Sequence, residues 1–503
     1  MKMEDKIIEV KTNVFEKYMD PEDIKKIVRY NNVSEMWETC VKNYGDAAAV
    51  EDGSVRTYAM LDEDIASMRA ALSEAGVKAG DKVGVYMPNS YEFIKSFFAV
   101  TTMGAVAILM PVQLDDKTVY GITMGFGLKA LIYDASLEEK VAFAKNTNPN
   151  TLYIDNLASG TEDPGMVYPA PETPCCIMFT GGTTGKSKGA ILSHKSVMTG
   201  TYNGCLGYKH VFGKRYMIVL PMTHVFGLIR NTLTCIATGS FLHIVRNNKE
   251  MFREMAMFRP TDLILVPALA ELALNVSRMM GPQIFGGQLE TIICGASVVP
   301  PYLVKEYAKL GTKLYPGYGL TESANLVSGN CECDKYPESV GFAYPNQTLR
   351  IVDGELWLKG DNMMTAYAGN PEENEKAFEE GWFKTGDLVK IDDEGFIFIV
   401  GRIKDIIVLP TGENVSPEEM ENKFVEPDFI QDAMVSEDNG KLVLEVFPRA
   451  AVVAAIDAED KNAYIKAELE KINMTLPSYQ RVTSIVIREE DFARTPAMKK
   501  IRK

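Results

Sequence analysis

No apolar run in this sequence is long enough to cross a bilayer. The longest, Phe97 to Val112, is interrupted by Thr101, Thr102 and Gly104 and falls short of the ~20 residues a spanning helix needs. It reads as a buried helix running into a buried strand. The N-terminus, MKMEDKIIEVKT, has no apolar stretch of the kind an export signal requires, so a cytoplasmic protein is predicted. Positive charge is in deficit, with 53 Lys and Arg against 68 Asp and Glu and a formal net charge of −15. That balance argues against a nucleic-acid partner and against binding to an anionic membrane surface. Any bound polyphosphate must then be held by local charge and backbone dipoles. The eight cysteines, Cys40, Cys175, Cys176, Cys205, Cys235, Cys294, Cys331 and Cys333, are scattered and form no disulfide framework. Cys331 and Cys333 lack a second pair or a nearby His and read as a reduced loop rather than a zinc site. No repeat recurs at a fixed period.

What is present is the composition of a soluble globular protein, 46% apolar and 24% charged, in a chain whose 503 residues predict two to four folding units. Residues 1 to 30 are charged and helical in pattern. From Val33 onward, amphipathic helices such as LDEDIASMRAALSEAGV alternate with short apolar strands such as DKVGVYMP, AVAILMPV and ALIYD. Such alternation predicts a parallel α/β sheet with helices on both faces. A Pro-rich link, VYPAPETP, precedes a second series of strands ending in Pro, Gly or polar residues: MIVLPMTHVFG, SFLHIVR, LILVPALAEL, TIICGAS and TKLYPGYGLTES. Ligands bind at the ends of such strands, so GGTTGKS, PMTHVFG, CGAS and YPGYGLTES are expected to face one crevice. GELWLKG, WFKTGDLVKID and GFIFIVG predict a small β-rich unit. After a boundary at Gly401 to Lys404, about a hundred residues read as a separate α+β domain. Its helix SPEEMENKF carries Ser416 as N-cap and Pro417 at the first position.

The stretch Ile177 to Gly189, IMFTGGTTGKSKG, is the most telling. Glycines let backbone N–H groups approach an anion, Thr and Ser add hydroxyl donors, and Lys186 and Lys188 add charge, a combination suited to polyphosphate. It is not a Walker A loop, because the required first glycine falls on Thr180. That disfavours a P-loop kinase or ATPase.

The loop resembles the phosphate loop of adenylate-forming enzymes, and four further stretches extend the resemblance over nearly the whole chain: YGLTE at Tyr318 to Glu322, WFKTGD at Trp382 to Asp387, GRIKD at Gly401 to Asp405 and RTPAMKKIRK at Arg494 to Lys503. In this order and spacing they are similar to the signature set of the adenylate-forming (ANL) superfamily, which includes the acyl-CoA synthetases. The resemblance implies an N-terminal adenylation domain over 1–401 and a small mobile α+β domain over 402–503. It implies ATP and Mg2+, with CoA as the acyl acceptor. Thr180, Gly181, Thr183, Thr184, Gly185 and Lys188 are expected to hold the β- and γ-phosphates. Glu322 is the expected magnesium ligand, since a hard cation bridging phosphates takes carboxylate oxygen. Thr321 can donate to the α-phosphate, Tyr318 offers a ring face to adenine, and Asp387 can accept the ribose hydroxyls with Arg402 donating beside it. Gly295, Ala296 and Ser297 would let nucleotide and acyl group lie against bare backbone. Taken singly, Glu322 could be a carboxylate at a helix N-terminus, Asp387 a turn residue and Arg402 a surface charge.

The family places a catalytic lysine four residues after a Thr, which gives Lys499, with Lys500 as the alternative. Lys404 falls at the hinge about which the C-terminal domain is expected to turn between half-reactions. His224 in PMTHVFG matches the His or aromatic residue of acyl and aryl ligases and can gate or line the acyl pocket. It can equally be a buried, hydrogen-bonded histidine. Val225 and Phe226 stand where amino-acid-activating relatives carry an Asp. The resulting expectation is an ATP-dependent carboxylic acid–CoA ligase, its acid a fatty acid in preference to an aryl acid. The alternative acceptor is the phosphopantetheine of a carrier protein.

Overall fold

A computed structural model describes residues 6–10, 13–180, 188–409, 413–438, 440–494 and 500–502. Two mixed sheets carry the first three-quarters of it. In the seven-stranded sheet the five strands Pro174–Phe179, Val106–Leu109, Lys82–Tyr86, Ala130–Tyr133 and Leu152–Asp155 lie parallel, in that order. In the nine-stranded sheet the parallel set is Lys313–Tyr318, Thr291–Cys294, Asp262–Leu265, Arg215–Ile218, Phe241–Ile244 and Ala48–Asp52. All four residues of Val106–Leu109, of Ala130–Tyr133 and of Asp262–Leu265 are buried, as strands covered on both faces must be. Antiparallel strands border both sets. The predicted α/β architecture is therefore present, built as two sheets.

Helices occupy the space between the sheets. Tyr91–Thr102 buries every residue except Glu92 and touches strands of both sheets. Its second half is the helix read in the apolar run, and being buried on all sides it is an interior element. Ser90 caps it, its hydroxyl accepting from Phe93 N. His194–Gly204, capped by Ser193, is similarly enclosed. The capping residues Asn32, Thr57 and Asp115 likewise mark helix starts in the sequence. No helix among the described residues is long and apolar enough to cross a membrane.

A third sheet is antiparallel throughout and comprises Lys6–Glu9, Gln347–Val352, Glu355–Gly360, Trp382–Ile391, Phe378–Glu379 and Ile397–Arg402. It is the β-rich unit expected from Gly354 onward, with two strands added from before that point, Gln347–Val352 and Lys6–Glu9. The helical reading of residues 1 to 30 fails at Lys6–Glu9, a strand paired with Gln347–Val352; only the short helices Val14–Tyr18 and Pro21–Ile24 follow it. Ile8 and Val10 pack against the core of this sheet, so burial there overrides local helix preference.

A separate core begins at Leu409 and includes Met420, Phe424, Val435, Leu444, Ile465 and Leu469. Its three-stranded sheet joins Ile430–Asp438 and Lys441–Pro448 antiparallel, with Ser484–Ile487 parallel to the latter. Ser416 caps Pro417–Phe424 as expected, its hydroxyl accepting from Glu419 N. The same hydroxyl donates to Val400 O at 2.6 Å, which ties this unit to the third sheet.

Candidate active site

Loops that follow strands of the two sheets meet one another. Asn89, after the strand Lys82–Tyr86, reaches across from the seven-stranded sheet. Its amide donates to Leu220 O and accepts from Met222 N, both at 2.8 Å, and so positions the PMTHVFG segment of the other sheet. His224 is partly buried at the head of a helix that buries all of Phe226–Leu233; its carbonyl accepts from Leu228 N at 2.8 Å.

The phosphate-loop segment springs from a hairpin. Pro174–Phe179 and Gly189–Ser193 pair antiparallel, with Phe179 opposite Gly189. At its neck, Thr180 N donates to Lys188 O at 2.8 Å and Lys188 N to the Thr180 hydroxyl at 3.4 Å. Gly181, Thr183, Thr184 and Gly185 lie outside the described residues. The Lys188 ammonium sits 2.9 Å from Glu373 and 4.5 Å from the centre of the Tyr367 ring. Lys188 and Lys376 hold the Glu373 carboxyl below its ordinary value. The Tyr367 hydroxyl donates to Glu322 Oε1 at 2.7 Å, and burial together with Glu322 raises its pKa. Lys188, Tyr367 and Glu322 therefore form a continuous line from the phosphate-loop neck to the expected magnesium ligand.

Glu322 is presented by a sharp reversal. The chain passes through Gly319, turns in the short helix Thr321–Ser323, and returns with Ala324 and Asn325 at φ +47° and +83°. A Cβ on Gly319 would lie 1.1 Å from Asn325 O, so only glycine permits the return. Positive φ at Ala324 and Asn325 is uncommon, and such backbone is held in place by its surroundings, often at functional sites. One Glu322 oxygen is taken by Tyr367. No hydrogen bond to the other is made among the described residues, so Glu322 suits a single-carboxylate contact to a cation whose other ligands are phosphate and water. No cluster of three or more metal-ligating side chains occurs among the described residues.

Tyr318, Asp387 and Arg402 come together. Asp387 and Arg402 are directly opposed across Trp382–Ile391 and Ile397–Arg402. Arg402 Nε lies 2.7 Å from Asp387 Oδ1, and the Tyr318 hydroxyl donates to Asp387 Oδ2 at 2.5 Å. Burial and the neighbouring carboxylate hold the Tyr318 phenol well above its ordinary pKa. Burial works against the charge of Arg402, and Asp387 together with Tyr318, Glu418 and Glu322 more than offsets it, so its pKa is raised. The backbone N–H of Asp387 donates to the Thr385 hydroxyl at 3.0 Å. Asp387 is buried, so this carboxylate is fixed before any ligand arrives. The strand Thr291–Cys294 ends at Gly295, where a Cβ would meet Gly317 O at 2.8 Å and the Phe226 ring at 3.7 Å. Ala296, at φ +67°, and Ser297 are exposed beyond it and offer bare backbone. Thr321 opens the short helix that carries Glu322.

Lys404 is exposed on Ile403–Asp405, between the third sheet and the C-terminal unit, and burial of its ammonium followed by Arg402 lowers its pKa. Lys499 lies outside the described residues, but both flanks of its segment are anchored. Arg494 and Lys500 pair with each other and share Asp432, at 2.6 and 2.8 Å, and Lys500 also meets Glu421 at 3.1 Å and Ala433 O. Lys500 is thus committed to holding the tail. The C-terminal unit meets the nine-stranded half through Arg449, whose Nε lies 2.7 Å from Glu271 on Pro267–Met280 and whose guanidinium sits over Tyr302.

Three residues of this site had gone unread in the sequence: Asn89, Tyr367 and Glu373. Tyr367 arrives on a two-residue strand, Ala366–Tyr367, paired with Ala190–Ile191 next to the phosphate loop. Two residues are too few to carry a periodic signal.

The chain is similar in sequence and in fold to known CoA ligases and synthetases. The long-chain-fatty-acid–CoA ligase of Escherichia coli O6:H1 is 28% identical over 465 residues, spanning 80% of this chain and 82% of the relative. The feruloyl-CoA synthase of an Amycolatopsis species is 26% identical over 387 residues, 74% of this chain and 78% of the relative. A solved anthranilate CoA ligase in complex with anthranoyl-AMP superposes with a TM-score of 0.84 at 19% identity, covering 95% of this chain and 97% of the other. The C-terminal domain of AMP-binding enzymes matches residues 404–503 and the AMP-binding enzyme family matches residues 37–368; the chain belongs to that family, within the adenylate-forming superfamily its motifs resemble.

Proposed function

We propose that the chain is an AMP-forming acid–CoA ligase: a carboxylate attacks the α-phosphorus of ATP, pyrophosphate leaves, and the acyl group of the resulting acyl-adenylate passes to the CoA thiol. The observation that carries this reading is the buried Tyr318–Asp387–Arg402 cluster beside the Lys188–Tyr367–Glu322 line. The first is a fixed carboxylate for ribose hydroxyls; the second places charge where phosphates would lie. Chemistry at phosphorus depends mainly on such positioning and neutralisation. Thr180, Gly181, Thr183, Thr184, Gly185 and Lys188 hold the β- and γ-phosphates, Thr321 donates to the α-phosphate, and Gly295, Ala296 and Ser297 back the adenylate. Magnesium, held by Glu322 and the phosphates, supplies charge neutralisation when bound.

In this reading residues 1–401 bind ATP and acid. Residues 402–503 turn about Lys404, bringing Lys499 to the α-phosphate for the first half-reaction and removing it for the second. Lys500 is fixed by Glu421 and Asp432, which supports Lys499 as the lysine free for that duty. His224 lines the acyl pocket. An acyl chain is favoured for the acid by the fatty-acid ligases among the relatives, with cytoplasm as the site of action. Pyrophosphate release across aliphatic, aryl and amino acids, with and without CoA, tests the proposal. Acid-dependent release that turns over repeatedly only with CoA supports it. Turnover that needs a holo-carrier protein instead replaces CoA as acceptor, and phosphate release without any acid removes the ligase reading.

A further inference from the structure

Arg230 is the only Lys, Arg, Asp or Glu between Arg215 and Arg246, in a stretch that reads YMIVLPMTHVFGLIRNTLTCIATGSFLHIV. It is fully buried. One of its nitrogens, Nη2, donates to the Tyr208 hydroxyl at 2.9 Å; Nε and Nη1 have no hydrogen-bond partner among the described residues. No carboxylate there lies within ion-pair distance of it. Asp262, the buried acid that feels its charge from the neighbouring strand, accepts instead from the Thr261 hydroxyl at 2.7 Å, and burial pushes its carboxyl up to about 6. A guanidinium taken out of water with most of its donors idle is strongly disfavoured unless something pairs with it.

The helix beneath Arg230 leads to the site. Phe226–Leu233 is a π-helix, a rare form that recurs at functional sites. The Thr232 and Thr234 hydroxyls donate to the carbonyls five residues back, Gly227 O and Ile229 O. The helix begins beside His224, its Phe226 ring lies next to Gly295, and Arg230 follows about one turn deeper. Further idle polar atoms flank that level. Asn203, on the helix packed against Ile229 and Thr234 through Gly200 and Gly204, has both amide atoms unpartnered, and Asn231 Oδ1 has no partner either.

We propose that the acyl pocket ends at Arg230 in an anion receptor, so that the acid activated is a short aliphatic one whose far end carries a second carboxylate in place of the methyl end of a fatty acid. This rests on the ligase reading for where the reacting carboxylate sits. Phe226 and Arg230 lie four residues apart on this helix, about one turn, a separation that suits a spacer of a few carbons. The distal carboxylate takes the Nε and Nη1 donors side by side, the fork geometry in which Arg binds carboxylate best.

The test compares succinate, glutarate and adipate with butyrate, pentanoate and hexanoate in ATP-dependent pyrophosphate release, for wild type and for Arg230→Met and Arg230→Lys. In wild type, kcat/KM for a diacid exceeds that for the methyl-ended acid of equal length by about ten-fold to a hundred-fold. Arg230→Met erases or reverses that ratio, and Arg230→Lys retains the preference at lower affinity. Equal or better use of the methyl-ended acids by wild type overturns the proposal. So does an Arg230→Met enzyme that is folded, binds ATP normally and keeps the diacid preference, because Arg230 is then only an internal strut. Calorimetry with glutarate is read independently of turnover. Should no acid release pyrophosphate, glutarate binding that is present in wild type and lost in Arg230→Met sustains the receptor while the ligase reading falls, and absence of binding sinks the receptor too. If Arg230→Met does not fold, the wild-type panel and wild-type calorimetry decide alone.

Discussion

Asp387 and Arg402 face each other across two antiparallel strands, with 2.7 Å between Oδ1 and Nε. Each was expected to meet ribose on its own account; in the structure each also fixes the other. Asp387→Ala should therefore act in two ways. Loss of a charged acceptor costs about 1.5–3 kcal/mol, a weakening of ATP binding of roughly ten-fold or more. The guanidinium left without its partner lowers the melting temperature as well. Isothermal titration with ATP separates the two, because a variant that melts earlier yet binds ATP normally shows Asp387 to be a support and not a ligand contact.

Lys499 and Lys500 are adjacent but should fail differently. Lys499→Ala is expected to stop acyl-adenylate formation, change substrate affinity little, and still pass preformed acyl-adenylate to CoA, since a contact made mainly in the transition state governs turnover more than binding. Lys500→Ala removes one partner from Glu421, which keeps Arg502, and one from Asp432, which keeps Arg494, so its first effect is on the stability of the C-terminal unit. Half-reactions assayed separately, with melting curves, read this out. Normal adenylation by Lys499→Ala would reject its assignment.

Glu271 and Arg449 form the buried contact between the C-terminal unit and the nine-stranded half. Removing one member of such a pair leaves a buried charge uncompensated, at about 3–5 kcal/mol. Glu271→Gln should loosen this docked arrangement. Proteolytic cleavage near Lys404 should quicken, and the balance between the two half-reaction rates should shift. If both rates and cleavage match wild type, the contact does not govern domain position.

His194 supplies a pH prediction. It is fully buried, its Nδ1 accepts from Val33 N at 3.3 Å, and burial lowers its pKa from 6.5 to about 4. An unfolded chain takes up the proton at the higher value, so the neutral His194 contributes stability that is complete above pH 6.5 and lost as pH falls toward 4. The full loss is on the order of 3 kcal/mol. Asp262 acts in the opposite sense: its raised pKa means its folded form keeps a proton through the same window, and its contribution declines as pH rises from 3.8 to about 6. The difference between wild type and His194→Asn cancels Asp262. Melting temperatures of the two should converge from pH 7 to pH 4, and a constant gap would reject the assignment.

The sequence singled out residues whose chemical type is unusual for their place, and of these the structure brings Glu322, after Gly319, to Tyr367 and Asp387, after Gly386, to Tyr318 and Arg402. Strand and helix order was legible too, because period and capping residues such as Ser90 and Ser416 are local signals. What the sequence concealed depends on pairing between distant segments. Tyr367 and Glu373 approach Lys188 through a two-residue strand, and Asn89 works across the gap between two sheets. The register that sets Asp387 opposite Arg402 includes a bulge between Leu388 and Val389, which no turn signal announces. Residues 6–9 misled for a related reason, since their strand exists by virtue of a partner near residue 350.

That last pairing bears on how the molecule comes into being. Glu9 is matched to Thr348, about 340 residues later, so the strand that leaves the ribosome early has no partner until most of the chain has been made. At ~5–20 residues per second that interval is tens of seconds, during which Ile7 and Ile8 form an unpaired apolar edge open to wrong partners. The sheet that carries Asp387 and Arg402 is thus completed late and by its earliest-made strand, and a bulky fusion placed just before Lys6 would be felt at the Asp387–Arg402 pair rather than where it is attached.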